Sequence, residues 1–191
     1  WPDMLESVAS LRVHPLSVPE GERIDRLPVD FVSGEPAPSY VHLRRVHYRH
    51  DIAYCLIDIH LDADLYRTDP ERFTTTPVLS QLAARPGLHI SIARQVIWVS
   101  VSDERTASCL DIGVGDPIVE IRRALTDESG RIIYYAHIRY PAELVRLEVD
   151  LLGSDARPGM DFKQEDARVT ANDRRTGRKP DDAQQRRALR R

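Results

Sequence analysis

Two groups able to hold an anion or a hydroxyl close an otherwise apolar strand pattern, in which Val41, Leu43, Arg45 and His47 alternate along one run. A guanidinium on a covered sheet face is costly unless it meets a carboxylate, a backbone carbonyl or a ligand. Glu120 or Glu143 could supply an internal salt bridge, and a bound molecule is the alternative. A second run aligns Tyr134, Ala136, Ile138 and Tyr140 on one side. Two phenols with apolar bodies suit a pocket for a small polar molecule, and they equally suit an ordinary core. Asp58, His60 and Asp62 also alternate, so they share one face if the strand persists. A carboxylate and imidazole there could hold a divalent ion, or form a solvated, hydrogen-bonded strand edge. His47 and His50 lie at a strand end and turn, where a spacing of three does not bring both rings to one point. The expectation is no metal site, no catalytic residue and no cofactor.

Known catalytic and nucleotide signatures are missing from the chain: there is no P-loop, G-x-G-x-x-G, G-x-S-x-G, H-E-x-x-H or C-x-x-C. Gly113-Val114-Gly115 lacks a third glycine and reads as a turn. Cys55 and Cys109 are the two cysteines, too few for a disulfide framework, and both read as reduced and buried.

The elements that must position these residues follow from period and punctuation. Tyr40 to Tyr48 and Ile52 to Leu61, joined by Arg49, His50 and Asp51, predict an antiparallel hairpin. Its second strand carries Ala53, Cys55, Ile57, Ile59 and Leu61 on a wholly apolar face. Asp62, Ala63 and Asp64 begin a turn or short helix. Thr76-Pro77 has the form of a helix start, with a hydroxyl cap and proline at the first helical position, followed by a helix to Arg85. A long strand is expected from Leu88 to Val101, then a helix capped by Ser102 that buries Ala107 and Leu110. A second hairpin pairs Pro117 to Thr126 with Arg131 to Tyr140 through Asp127-Glu128-Ser129-Gly130, and a last strand runs from Leu144 to Leu152. Before the first hairpin, Met4 to Leu11 and Glu20 to Leu27 read as helical, and Gly34, Pro36 and Pro38 as loop. Five or six strands in hairpins with two or three short helices, and no repeating βαβ unit, define an α+β domain on one mainly antiparallel sheet.

The 191 residues are 41% hydrophobic and 30% charged with a net charge of −3. Residues 154–191 hold eleven Lys or Arg against seven Asp or Glu, whereas the preceding 153 hold sixteen against twenty-three. The acidic body argues against a broad nucleic-acid surface. The polar tail is expected to be disordered, its arginine pairs either solvated or in weak contact with nucleic acid. Apolar runs such as Ile118 to Ile121 fall far short of a membrane span, so a soluble, cytoplasmic protein is expected.

The order of hairpin, helix opening at Thr76-Pro77, long strand, small helix ending in Cys109-Leu110-Asp111-Ile112, Gly115-Asp116-Pro117-Ile118 turn and hairpin to Tyr140 resembles the UTRA domain. This is the effector-binding domain of the HutC subfamily of GntR-type bacterial transcription regulators, with a chorismate lyase-like fold. The likeness runs from about Leu5 to Leu152. It implies residues 1–18 as a linker remnant, 19–153 as the effector domain and 154–191 as a tail. It further implies a small-molecule metabolite effector, a homodimer, no membrane, and operator DNA reached only through an N-terminal winged helix-turn-helix that these residues do not contain.

In the family an Arg-x-Arg strand contacts the effector, and the matching segment here is Arg45-Val46-His47. Thr76 matches a Ser or Thr whose hydroxyl receives an anionic group. Tyr140 matches a ligand-facing tyrosine, and Tyr134 stands where Glu is frequent. Ile57 replaces an acidic residue used for sugar hydroxyls, and Pro141 and Glu143 replace a frequent Arg and Asp. The resemblance therefore implies ligand contacts at Arg45, His47, Thr76, Tyr134 and Tyr140 and a less charged, more aromatic effector. A chorismate lyase-like enzyme and a structural dimerisation module with a vestigial pocket are the alternatives.

Overall fold

A two-residue turn fixes the first hairpin: His50 and Asp51 both have positive φ, 47° and 64°, the handedness that matches the twist of the strands it joins. The turn sets β4 (Tyr40–Arg49) against β5 (Ile52–Asp62) in antiparallel register. In this computed structural model, which describes residues 11–17, 20–22, 27, 31–148 and 159–161, that hairpin is the middle of an eight-stranded sheet. Short strands β1 (Arg12–Pro15) and β2 (Glu20–Glu22) both pair with β4, at opposite ends of it. The two-residue β3 (Glu35–Pro36) runs parallel to the start of β8. Beyond β5 come β8 (Arg131–Pro141), β7 (Pro117–Asp127) and, at the edge, β6 (Ile90–Val101). A small separate pair joins β9 (Arg146–Glu148) to β10 (Gly159–Asp161).

The second hairpin turns as its sequence demands. Asp127 accepts the backbone N–H groups of Ser129 and Arg131, and Gly130 takes φ 82°, a conformation glycine adopts without steric penalty. Between β5 and β6 lie three short helices, α1 (Ala63–Arg67), α2 (Pro70–Thr75) and α3 (Val78–Ala83). Each is too short to be stable alone, so packing must hold them. Ala63, Phe73, Val78, Leu79 and Leu82 bury against one sheet face built from Val41, Leu43, Ile57, Ile59, Ile121, Leu125 and Ile138. Among the described residues the other face is covered at its ends. Leu27, Ala37 and Tyr40 pack on Ala124, Ile132 and Tyr135 at one end, while α4 (Glu104–Leu110) sets Leu110 against Val46, Ala53 and Leu56 at the other.

The α+β architecture, a mainly antiparallel sheet with short helices, is therefore the one the sequence predicts. Local departures have physical causes. Glu20–Glu22, expected in a helix, extends the sheet by hydrogen-bonding to β4. A bulge where Tyr48 meets Ala53 and His47 meets Cys55 interrupts the alternation, so Ala53 packs under α4 while its neighbour Tyr54 joins the opposite core. Asp103, not Ser102, caps α4, its carboxylate accepting from the Thr106 N–H at 2.7 Å, while the Ser102 hydroxyl donates to the Gly113 carbonyl at 2.6 Å. Cys55 is buried as expected, whereas Cys109 is only partly so. The expected helix at Met4 to Leu11 and the polar tail fall outside the described residues, apart from Leu11, which is buried, and β10. The expected strand from Leu144 to Leu152 is described only to Glu148: Leu144 ends a 3₁₀ turn and β9 follows.

Candidate functional site

Strand alternation carries three ionisable or polar side chains under the helices. Arg45 faces Ile57 across the β4–β5 ladder, and His47 faces Cys55. One row over, Ile59, Ala136, Arg123 and Gln95 stand in line across β5, β8, β7 and β6. Tyr134, Ala136, Ile138 and Tyr140 share this face on β8, as their spacing predicts. Arg45, His47, Arg123, Tyr134 and Tyr140 are all buried, none more than 5% exposed.

Between this face and α3 lies a cavity of about 20 Å³. It is room for about one water molecule. His47, Arg123, Tyr134 and Tyr140 line it together with Ile138 on the sheet side, and Leu11 with Val78 and Leu79 of α3 forms part of the wall opposite. Arg45 does not line it. Its Nη1 instead donates to the carbonyls of Phe73 and Thr76, both at 3.0 Å, and more weakly to that of Thr74 at 3.4 Å. Arg45 thus clasps the link between α2 and α3, and neither Glu120 nor Glu143 is its partner among the described residues. Its Nε and Nη2 are buried with no hydrogen bond to a described residue.

Thr76 departs from the sequence expectation. The residue before α3 is Pro77, which offers no side-chain cap, and the Thr76 hydroxyl donates backward to the Arg72 carbonyl at 2.7 Å, closing α2. A threonine bonding to the carbonyl four residues earlier competes with capping forward, and here the backward bond wins. Thr76 reaches the site through its carbonyl and Arg45.

Burial tunes the groups. Desolvation, and after it the charge on Arg45, pushes the His47 imidazole down to about 3, so it is neutral, and its Nε2 has no hydrogen-bond partner among the described residues. Desolvation lowers Arg45 to about 10 against the opposing pull of Tyr134, Cys55 and Tyr66, so it stays charged at neutral pH. Tyr134 rises to about 12 and Tyr140 well above its ordinary value, both through burial, so both remain phenols. Burial likewise raises the Cys55 thiol to about 12, which leaves it unreactive.

Arg123 is the residue missed in the sequence. Its Nε and Nη2 both donate to Gln95 Oε1, at 3.1 and 2.8 Å. The signal was available: Val119, Ile121, Arg123 and Leu125 repeat the interruption of an apolar alternation that marks Arg45.

The opposite face holds the Asp58, His60 and Asp62 set, which does not form a metal centre. Asp58 accepts from His42 and Arg44 at one oxygen and from Arg139 at the other, at 3.0 Å. Burial would raise this carboxyl, but the three hydrogen bonds outweigh it and hold it well below the ordinary carboxylate range. Asp62 caps α1 and meets Arg131. Among the described residues no cluster of His, Cys, Asp or Glu is arranged for a metal ion.

The frame is thus a mainly antiparallel sheet with short helices on one face over a small cavity of mixed polar and apolar lining. The family model of the UTRA domain matches residues 33–146, and the chain belongs to that family. Solved structures share the fold. The possible transcriptional regulator YydK from Bacillus subtilis is 14% identical over 71% of this chain with a TM-score of 0.57, and this chain spans 59% of its length. A GntR-family transcriptional regulator from Enterococcus faecalis is 19% identical, with 72% of this chain and 99% of that one covered at a TM-score of 0.58. The effector domain of PhnF from Mycobacterium smegmatis is 18% identical, with 70% and 82% covered at 0.57. No curated protein sequence matches the chain significantly.

Proposed function

We propose that this chain is the small-molecule effector-binding domain of a GntR-type transcription regulator of the HutC subfamily, with residues 19–153 as the sensing unit and 154–191 as a polar tail. The observation that carries the reading is a small, partly open cavity under the helices of a UTRA domain, lined by His47, Tyr134 and Tyr140. Arg45 and Thr76 belong to the same site as the clasp between sheet and lid. Among the described residues no Asp or Glu lines the cavity, which favours holding a ligand over acid–base turnover of one. No helix of the described residues is long and apolar enough to cross a membrane, in keeping with a regulator that works in the cytoplasm beside DNA. Contact with operator DNA would run through a winged helix-turn-helix, and effector binding would act by favouring one arrangement of the reading heads.

The test is a thermal-shift screen of the chain against a metabolite library. A true effector at about a hundredfold excess over its Kd stabilises by about 2.7 kcal/mol. His47→Leu and Tyr140→Leu should abolish that shift. A shift that survives both substitutions locates binding elsewhere and defeats the reading.

Pairing with a second copy is supported by β6. It is a twelve-residue edge strand whose Val99 and Val101 are 73% and 64% exposed, and an open apolar edge of this length is a template for another strand. Sedimentation should show a dimer that Val99→Lys converts to monomer. A dimer untouched by Val99→Lys removes β6 from the interface.

A further inference from the structure

The charges around the cavity decide what class of molecule it takes, and this step rests on the sensing function proposed above. Two guanidinium groups, Arg45 and Arg123, are buried on this sheet face. The buried carboxylates of the described residues, Asp58 and Asp62, alternate onto the other face with Leu56 and His60. Arg45 has backbone carbonyls for partners, and Arg123 has the neutral amide oxygen of Gln95. Neutral dipoles alone leave a buried cation without charge compensation. Arg123 lines the cavity, and the donors that meet Gln95 are Nε and Nη2, so among the described residues its Nη1 edge is uncommitted. His47 lines the same cavity with Nε2 unpartnered among those residues. The remaining wall sets the phenols of Tyr134 and Tyr140 among apolar side chains, Ile57, Ile138, Val78 and Leu79.

We propose that the cavity takes a small organic carboxylate with an apolar body, its two oxygens received by the Nη1 edge of Arg123 and by Nε2–H of His47, its body by Ile138, Val78 and Leu79. A planar guanidinium edge and one imidazole N–H match the two oxygens of a carboxylate. A phosphate dianion asks for a second cation at the cavity wall, and Arg45 is directed at the α2–α3 carbonyls instead. Arg123 is therefore the specificity-determining residue, and Arg45 is a positioning residue for the lid.

The test uses the whole chain at constant ionic strength, with benzoate and hexanoate as probes, benzamide and hexanamide as uncharged counterparts, and phenyl phosphate as the alternative anion. Benzoate or hexanoate should raise Tm in a saturable manner, and its amide should bind about tenfold more weakly or worse. Arg123→Met should weaken the acid by about tenfold or more and the amide by a smaller factor, so that the preference for the acid is lost. Without ligand, Arg123→Met should unfold at the same urea concentration as the parent or a higher one, since it removes an uncompensated charge. Amides that bind as tightly as acids overturn the carboxylate class while leaving a sensing cavity in place. Phenyl phosphate binding in preference to both acids overturns the choice of headgroup. No response to either acid, or an Arg123→Met chain that is markedly destabilised without ligand, overturns the proposal and makes Arg123 a structural residue; a library compound that still binds would keep the sensing function alive.

Discussion

The two faces of the sheet handle buried charge in opposite ways. On the outer face Asp58 is matched by the guanidiniums of Arg44 and Arg139 beside His42, and Glu120 is hydrogen-bonded to His137, so the buried carboxylate has cationic partners and the network spans four strands. Trp98 stacks over His137 and receives Arg122 against its ring, closing the ladder at β6. On the inner face the hydrogen-bond partners of Arg45 and Arg123 among the described residues are neutral. A matched ladder is complete within the described residues, whereas two cations with no carboxylate partner among those residues are, on the proposal above, poised for an anion.

The largest effect should come from breaking the matched side. Asp58→Asn leaves Arg44 and Arg139 half-buried around a neutral amide, and losing one partner of such a network costs about 3 kcal/mol. Urea denaturation should show that loss, in contrast to the small or favourable effect of Arg123→Met. An Asp58→Asn variant as stable as the parent would erase the distinction between the faces.

A smaller effect concerns protons. His47 is neutral when folded, with its pKa pushed down to about 3 by burial and then by Arg45, while an unfolded histidine titrates near about 6.5. Between these values the unfolded chain binds a proton that the folded chain refuses. Stability therefore falls as pH drops through this window, by about 1.4 kcal/mol per unit from this residue. Asp58 adds to the loss only below about pH 4, where its unfolded carboxyl takes a proton and the folded one does not. His137, also lowered by burial and Arg139, contributes in the same direction in both variants of a comparison. His47→Gln should flatten the dependence between pH 6.5 and pH 4.5 in urea midpoints, values taken from the window just given. An unchanged slope would mean that the ring is protonated or exposed.

Much of this architecture is legible in the chain. Alternation places Tyr134, Ile138 and Tyr140 on one face, and the turn residues fix both hairpins. Arg45 and His47 are legible as the polar end of an apolar pattern, and their burial bears that out. What pattern cannot give is the partner: Arg45 ends on carbonyls of a linker about thirty residues later, and a backbone acceptor leaves no mark in side-chain spacing. Local competition explains other departures. Thr76 and Ser102 each have a hydroxyl suited to capping forward, yet each bonds to a carbonyl instead. The bulge at Ala53 and Tyr54 shifts a face by one residue, and no composition rule announces it. Arg123 needed only consistency, the same reasoning applied to β7 as to β4.

The smallness of the cavity has a consequence for time. A space for one water is too small for a metabolite, so on the sensing function proposed above binding requires the wall of Leu11, Val78 and Leu79 to move apart from the sheet. The observed association rate should then level off as concentration rises, at the opening frequency of a wall whose α2–α3 link is tethered to β4 by Arg45. A sensor built this way reports whether a compound has persisted, and it ignores a pulse briefer than its own latch.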